Sequence, residues 1–215
     1  MSIEIDVYWS FRSPYSWLAT GRLRQMAAKY PVSFNMKFVR PLALREDGFF
    51  KKARPQFLPY LLNDMMREGE RLGEPIAFPN PDPIVMDMAT GDVATDQPYI
   101  HSLLDLGFAA ELSEGRGLEL AYAIAKPIWS GVPNWNEGDV LTEAASSAGF
   151  DLKALESWAD DHRELIDKTL VDNEARQMTY HWGVPLMVLN DEPFFGQDRL
   201  ESLEWRLQQL LQSQQ

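Results

Sequence analysis

Strand-like sequence in this chain is confined to its two ends, and the long middle offers helix and loop. Residues 3–9 alternate apolar and polar side chains, and Val32-Ser33-Phe34-Asn35-Met36-Lys37-Phe38-Val39 does so with period two, the pattern of half-buried strands. Between them, residues 15–29 place Trp17, Leu18, Ala19, Leu23, Met26 and Ala27 at helical spacing, and Pro31 ends the run. Strand, crossover helix and strand in this order imply a right-handed parallel unit. At the far end, Val184-Pro185-Leu186-Met187-Val188-Leu189 reads as a strand, Asn190-Asp191-Glu192-Pro193 as a turn and Phe194-Phe195 as a short returning strand. Residues 198–211 then form a helix with Leu200, Leu203, Leu207 and Leu210 on one face. Any sheet must therefore be assembled from both termini.

The middle is helical. Residues 99–112, 118–129, 140–148, 152–159 and 162–179 are amphipathic segments separated by breaks containing Gly, Pro or Asp. A further helix is predicted over 56–72, with Phe57, Leu58, Leu61, Leu62, Met65 and Met66 on its inner side, after an irregular stretch at 40–55. Residues 73–97 carry Pro75, Pro79, Pro81 and Pro83 and read as a long loop, which packs over a site or moves. Its acids Asp82, Asp87, Asp92 and Asp96 match no calcium-loop spacing and read as solvated. The fold class is α/β. Residues 1–75 and 180–215 form one sheet-containing unit, and 76–179 are a loop plus helical insertion. A length of 215 residues is enough for a substantial core.

Composition narrows the chemistry. There is no cysteine, so disulfides, thiolate ligands and any thiol chemistry of the chain's own are excluded. Twenty basic residues stand against thirty-two acidic ones, for a net charge of −12, and no basic block marks a nucleic-acid partner. The first residues carry no basic-then-apolar segment, and no apolar run approaches the ~18 residues of a membrane span. The expectation is a cytoplasmic protein with no membrane association and no metal. No Ser-His-Asp spacing, Gly-x-Ser-x-Gly elbow or phosphate loop is present.

The junction between the first strand and the first helix is the chemically suggestive point. Ser13 reads as the N-cap and Pro14 as the first helical residue. Ser13 thereby sits beside the helix's partial positive charge, a place that can hold an anion. A plain helix cap explains it equally well. At the far end, Gly196-Gln197-Asp198 joins strand to helix, with Asp198 as the expected N-cap. Of the three histidines, His101 and His162 fall in predicted helices, and His181 precedes Gly183-Val184-Pro185, where it could shuttle a proton.

Tyr8-Trp9-Ser10-Phe11-Arg12-Ser13-Pro14-Tyr15-Ser16-Trp17-Leu18-Ala19 resembles the opening motif of the 2-hydroxychromene-2-carboxylate isomerases and kappa-class glutathione transferases. Gly183-Val184-Pro185 with Phe194-Phe195-Gly196-Gln197-Asp198-Arg199 resembles their C-terminal motif. The resemblance implies a DsbA-like, thioredoxin-like fold (βαβ…ββα) interrupted by an all-helical insertion. It implies glutathione as cofactor, Ser13 contacting its sulfur, a cis Val184–Pro185 bond clamping the tripeptide backbone, and Gln197 and Asp198 holding the γ-glutamyl end. The second partner would be a small aromatic or conjugated compound, and relatives are often homodimers. The chain departs from the pattern at Ser10, where the family usually carries an acidic residue, and at 45–52, which lacks the family's asparagine.

An acidic substrate needs a local cation. Arg12, Arg40 and Arg45 are the candidates, Arg12 foremost because it adjoins Ser13. Tyr8, Phe11, Phe49, Phe50, Trp129 and Trp135 could line an apolar pocket or simply fill the core. The expected activity is a glutathione-dependent isomerase or transferase. The competing readings are a non-catalytic thioredoxin-fold binding protein and a disulfide oxidoreductase, the latter at odds with the absence of cysteine.

Overall fold

The computed structural model describes residues 2–87 and 89–213. A four-stranded mixed sheet runs in the order β2 (Val32–Phe38), β1 (Ile3–Trp9), β3 (Leu186–Leu189), β4 (Glu192–Phe195). β1 and β2 are parallel, from Ile3 opposite Val32 to Trp9 opposite Phe38. β3 lies antiparallel on β1, pairing Val7 with Met187, and β4 antiparallel on β3. The sheet is thus completed only when the C-terminal strands reach the N-terminal pair. β2 alternates buried and half-buried residues throughout, as its sequence predicts, whereas every residue of β3 is buried. Asn190 and Asp191 both take positive φ, 49° and 62°, the two-residue geometry that tight hairpins require. The turn is therefore shorter than expected. Glu192 and Pro193 belong to β4, an edge position where a proline costs no ladder bond.

The helices are α1 (Pro14–Lys29), α2 (Leu42–Arg45), α3 (Phe49–Lys52), α4 (Phe57–Leu72), α5 (Pro98–Glu114), α6 (Gly117–Trp129), α7 (Val140–Ser147), α8 (Leu152–Asp161), α9 (Arg163–Met178) and α10 (Leu200–Ser213). The stretch expected to be irregular at 40–55 contains the two single-turn helices α2 and α3. One continuous apolar core joins the sheet to α1, α5, α6, α8 and α10. Its centre is aromatic. Trp9 meets Phe11 and Phe38 edge-on, Phe11 stacks on Phe38, and Phe108 meets Phe38 edge-on. A Cβ at Gly107 would lie 3.0 Å from the Phe38 ring, so α5 can lie this close only with glycine there.

Buried indoles find partners, as they must. Trp9 Nε1 donates to the Ser16 carbonyl and Thr20 Oγ1, Trp129 Nε1 to the Phe11 carbonyl and Trp135 Nε1 to the Pro81 carbonyl. These bonds fix Trp129 and Trp135 in the interior with Tyr8 and Phe11, so these four of the six candidate pocket aromatics are core residues. Glu111 on α5 binds α5 to β2 and α6 by accepting the backbone N–H groups of Met36 and Gly117. Burial pushes its carboxyl above the usual carboxylate range even so.

Two sequence expectations fail. The supposed inner side of α4 is mostly open: Met65 is buried, but Phe57, Leu62 and Met66 are exposed. α4 rests on its neighbours through a narrow strip at Met65 and Gly69, where a Cβ would clash with Ile76 at 2.2 Å. Asp198 is not an N-cap. A single 3-10 turn, Gln197–Arg199, precedes α10, and Asp198 lies exposed within it, paired with Arg199.

Candidate active site

The β1–α1 junction, the cis Val184–Pro185 bond and α4 meet around a cleft of about 190 Å³. Ser10, Arg12, Ser13 and Tyr15 line it from the junction, Phe49 and Phe50 from α3, Phe57 and Leu61 from α4, and Trp182, Gly183, Val184 and Phe195 from the opposite side. Ser13 and Val184, from opposite ends of the chain, therefore share one cleft. Ser13 has the extended backbone of an N-cap, and its Oγ accepts the Ser16 N–H at 3.1 Å. A hydroxyl has one proton and two lone pairs. With a lone pair taken by the cap, the Ser13 proton remains free to be donated into the cleft, beside the N-terminus of a sixteen-residue helix.

Arg12 lines the same cleft, but its charge is matched. Its Nε and Nη2 donate to both carboxylate oxygens of Asp82 at 3.1 and 2.9 Å, and its guanidinium lies over Phe50, 5.0 Å from the ring centroid. Asp82 also accepts the Ile84 N–H, and only 12% of its side chain is exposed. The expectation that Asp82 is solvated is overturned. The pair fastens the 73–97 loop to the residue preceding Ser13.

Arg40 and His181 do not line the cleft. Arg40 is held by Glu174 through both its side chain and its backbone N–H. His181 stacks on Phe195 with ring centroids 3.7 Å apart, and its Nδ1 accepts the Gly183 N–H. That contact places the ring proton on Nε2, and burial holds the imidazole below its ordinary pKa, hence neutral near pH 7. His181 buttresses the Gly183–Val184 edge from behind. Gly183 is required there, because a Cβ would lie 2.5 Å from the Phe195 ring. Arg45 donates to Gln177 Oε1 and the Trp182 carbonyl, bracing the same edge.

Of the hollows that share walls with the cleft, two bear on the candidate site. One, of about 440 Å³, shares Tyr15, Val184 and Phe195 with it and adds Asp64, Glu68, Arg71, Gln197 and Asp198. Gln197 is buried here, its Nε2 donating to Glu68 Oε2 at 2.7 Å and its Oε1 accepting from Arg22. The Arg71 hydrogen bond outweighs burial and holds Glu68 below the usual carboxylate range. Burial, then the bond donated to Asp64, pushes the Tyr15 hydroxyl well above the usual phenol range, so it stays a neutral donor. The other hollow, of about 630 Å³, shares Phe49, Phe57 and Trp182 with the cleft and adds Tyr60, Lys52 and Arg54. It is largely apolar, with two cations and the acid Glu46 in its wall. Glu68, Tyr15, Asp64 and Trp182 are site residues the sequence did not single out.

A family model described as a DSBA-like thioredoxin domain matches residues 4–208. The chain belongs to this family. Within it, 2-hydroxychromene-2-carboxylate isomerase from Pseudomonas putida is 24% identical over 208 residues, covering 93% of this chain and 92% of the relative. The protein of the same name from Pseudomonas sp. strain C18 is 24% identical over 214 residues, covering 94% and 89%. A solved structure of 2-hydroxychromene-2-carboxylate isomerase superposes with a TM-score of 0.72 at 21% identity, covering 99% of this chain and 98% of the other. The cytosolic disulfide reductase DsbM from Pseudomonas aeruginosa, solved with GSH, gives 0.60 at 15% identity over 99% and 100%. The DsbA-like fold expected from the two terminal motifs, and the resemblance to the isomerases, are both borne out. This chain has no cysteine with which to run thiol exchange itself. Among the described residues there is no cluster of three or more histidine, aspartate or glutamate side chains fit for a metal, and no helix is long and apolar enough to cross a membrane.

Proposed function

We propose that the protein is a glutathione-dependent enzyme of the 2-hydroxychromene-2-carboxylate isomerase type. The observation that carries this reading is the meeting, in one cleft, of a serine hydroxyl at a helix N-terminus with a cis Val184–Pro185 edge, in a chain that has no thiol. The relatives named as isomerases support the class of reaction, and DsbM solved with GSH supports the ligand.

The residues present fit glutathione. Its sulfur would lie at Ser13, its peptide along Val184, and its γ-glutamyl end in the hollow of Glu68, Gln197 and Asp198, where the carboxylates suit the ammonium and Arg71 the carboxylate. Bound there, glutathione would supply a thiolate nucleophile able to add reversibly to a conjugated double bond, so that the bond can rotate before the thiolate leaves again. Ser13 would donate a hydrogen bond to the sulfur, and the α1 N-terminus would favour the negative charge. Phe49, Phe57, Tyr60 and Trp182 offer an aromatic substrate flat apolar walls, and Lys52 and Arg54 lie where a substrate carboxylate can be met. The same arrangement serves transfer of the thiol to another electrophile.

Calorimetric titration with glutathione tests the reading, together with the ultraviolet absorbance of the bound thiolate across pH. Binding with a thiol pKa below the free value of ~8.5 is expected. Ser13→Ala should raise that pKa by about one unit, a tenfold change. Absence of binding, or an unchanged pKa in the variant, defeats it.

A further inference from the structure

Ser10 and Ser13 stand at the two ends of one turn. Ser10 follows β1, Phe11 and Arg12 make the turn, and the Ser13 N–H closes it on the Ser10 carbonyl at 3.1 Å. Both residues line the cleft. Their hydroxyls are in opposite situations. Ser13 Oγ is occupied as a cap acceptor. Ser10 is 1% exposed, and its Oγ has no hydrogen-bond partner among the described residues.

A buried hydroxyl without a partner lowers stability, because its hydration is lost and nothing replaces it. An alanine at the same place would escape that cost. The hydroxyl is therefore an unused hydrogen-bonding group carried by a residue that lines the cleft, on the same turn as Ser13. Ser16 is also buried with an unpaired Oγ, but it does not line the cleft, so the same argument does not reach it.

We propose that Ser10 is a second hydroxyl donor to the anion held at Ser13, so that the sulfur of bound glutathione meets two serine hydroxyls carried on a single turn. The proposal rests on the glutathione reading above. It assigns the two serines separable tasks. Ser13 caps the helix and donates, whereas the Ser10 hydroxyl makes no hydrogen bond among the described residues of the unliganded protein and acts only on the ligand.

The experiment compares wild type, Ser10→Ala, Ser13→Ala and the double variant by urea denaturation without ligand, by calorimetry with glutathione, and by the pH dependence of bound-thiolate absorbance. Unliganded Ser10→Ala is expected to be as stable as wild type or more so. Its bound-thiol pKa is expected to rise enough to cut the thiolate fraction about threefold to tenfold below that pKa. In the double variant the shifts should be coupled, since both hydroxyls serve one atom. An unchanged bound-thiol pKa in Ser10→Ala overturns the proposal whatever the variant's stability. If Ser13→Ala moves the pKa in the same series, the glutathione reading stands and the Ser10 role alone falls. No glutathione binding by wild type defeats both.

Discussion

One oxygen atom, Ser13 Oγ, meets two demands. As acceptor it satisfies the Ser16 N–H, and in the proposed function it would also donate to the ligand in the cleft that Ser13 lines. Substitutions separate the two. Ser13→Ala removes both and should cost about 1 kcal/mol of stability through the lost cap. Ser13→Asp keeps an acceptor suited to the N-cap and should retain wild-type stability within a few tenths of a kcal/mol. Its carboxylate has no proton to donate at neutral pH and repels an anionic sulfur, so its bound-thiol pKa should rise at least as far as that of Ser13→Ala. Urea denaturation and thiolate absorbance check the two halves independently. If Ser13→Asp supports the thiolate as wild type does, the donor role is wrong. Ser13 was legible in the sequence because a cap is a local device, written in Ser13 and Pro14 alone. Glu68 was not, because its link to Gln197 spans 129 positions and nothing near either residue announces the other.

The 73–97 loop shows the same contrast at the level of elements. Its four prolines declare a loop, expected either to pack over a site or to move; none of its described residues lines the cleft, and it is tied to the cleft wall through Arg12 and Asp82. What fastens it was invisible, because Arg12 and Asp82 are 70 residues apart and an aspartate in a proline-rich loop ordinarily faces water. The helices were read to within two or three residues because an amphipathic period repeats within a dozen positions. The outward turn of Phe57, Leu62 and Met66 on α4 was missed for the complementary reason. Periodicity shows that a helix has an apolar face and leaves open what covers it. The fastening itself can be tested. Asp82→Asn leaves the Arg12 guanidinium, 15% exposed, without its counter-charge. The expected loss is about 2 kcal/mol, between the cost of breaking a surface pair and a buried one. Faster cleavage within residues 73–97 under limited proteolysis should accompany it. Wild-type stability and an unchanged cleavage pattern would show that the pair does not hold the loop.

At the scale of the whole molecule, the net charge of −12 opposes the proposed ligand. Glutathione carries two carboxylates and one ammonium near neutral pH, and so arrives as an anion. The basic side chains around the site do not reverse this at a distance. Arg12 is matched by Asp82, Arg71 by Glu68 and Arg40 by Glu174, while Lys52 and Arg54 share their hollow with Glu46 and the other hollow carries Asp64 and Asp198. On the proposed reading, approach through solvent would be governed by repulsion, and capture by short-range bonds at Ser13, Val184 and Gln197. Screening acts on the first and hardly on the second. The Debye length falls from ~30 Å at 10 mM salt to ~8 Å at 0.15 M, so added salt should raise the association rate of glutathione over that range and leave dissociation nearly unchanged. Trp182, half exposed and lining the cleft, provides a fluorescence signal for stopped-flow measurement. A rate that falls as salt is added would mean that Lys52, Arg54 and Arg22 draw the ligand in. The local field of the cleft, rather than the charge of the whole chain, would then control access to the serine turn.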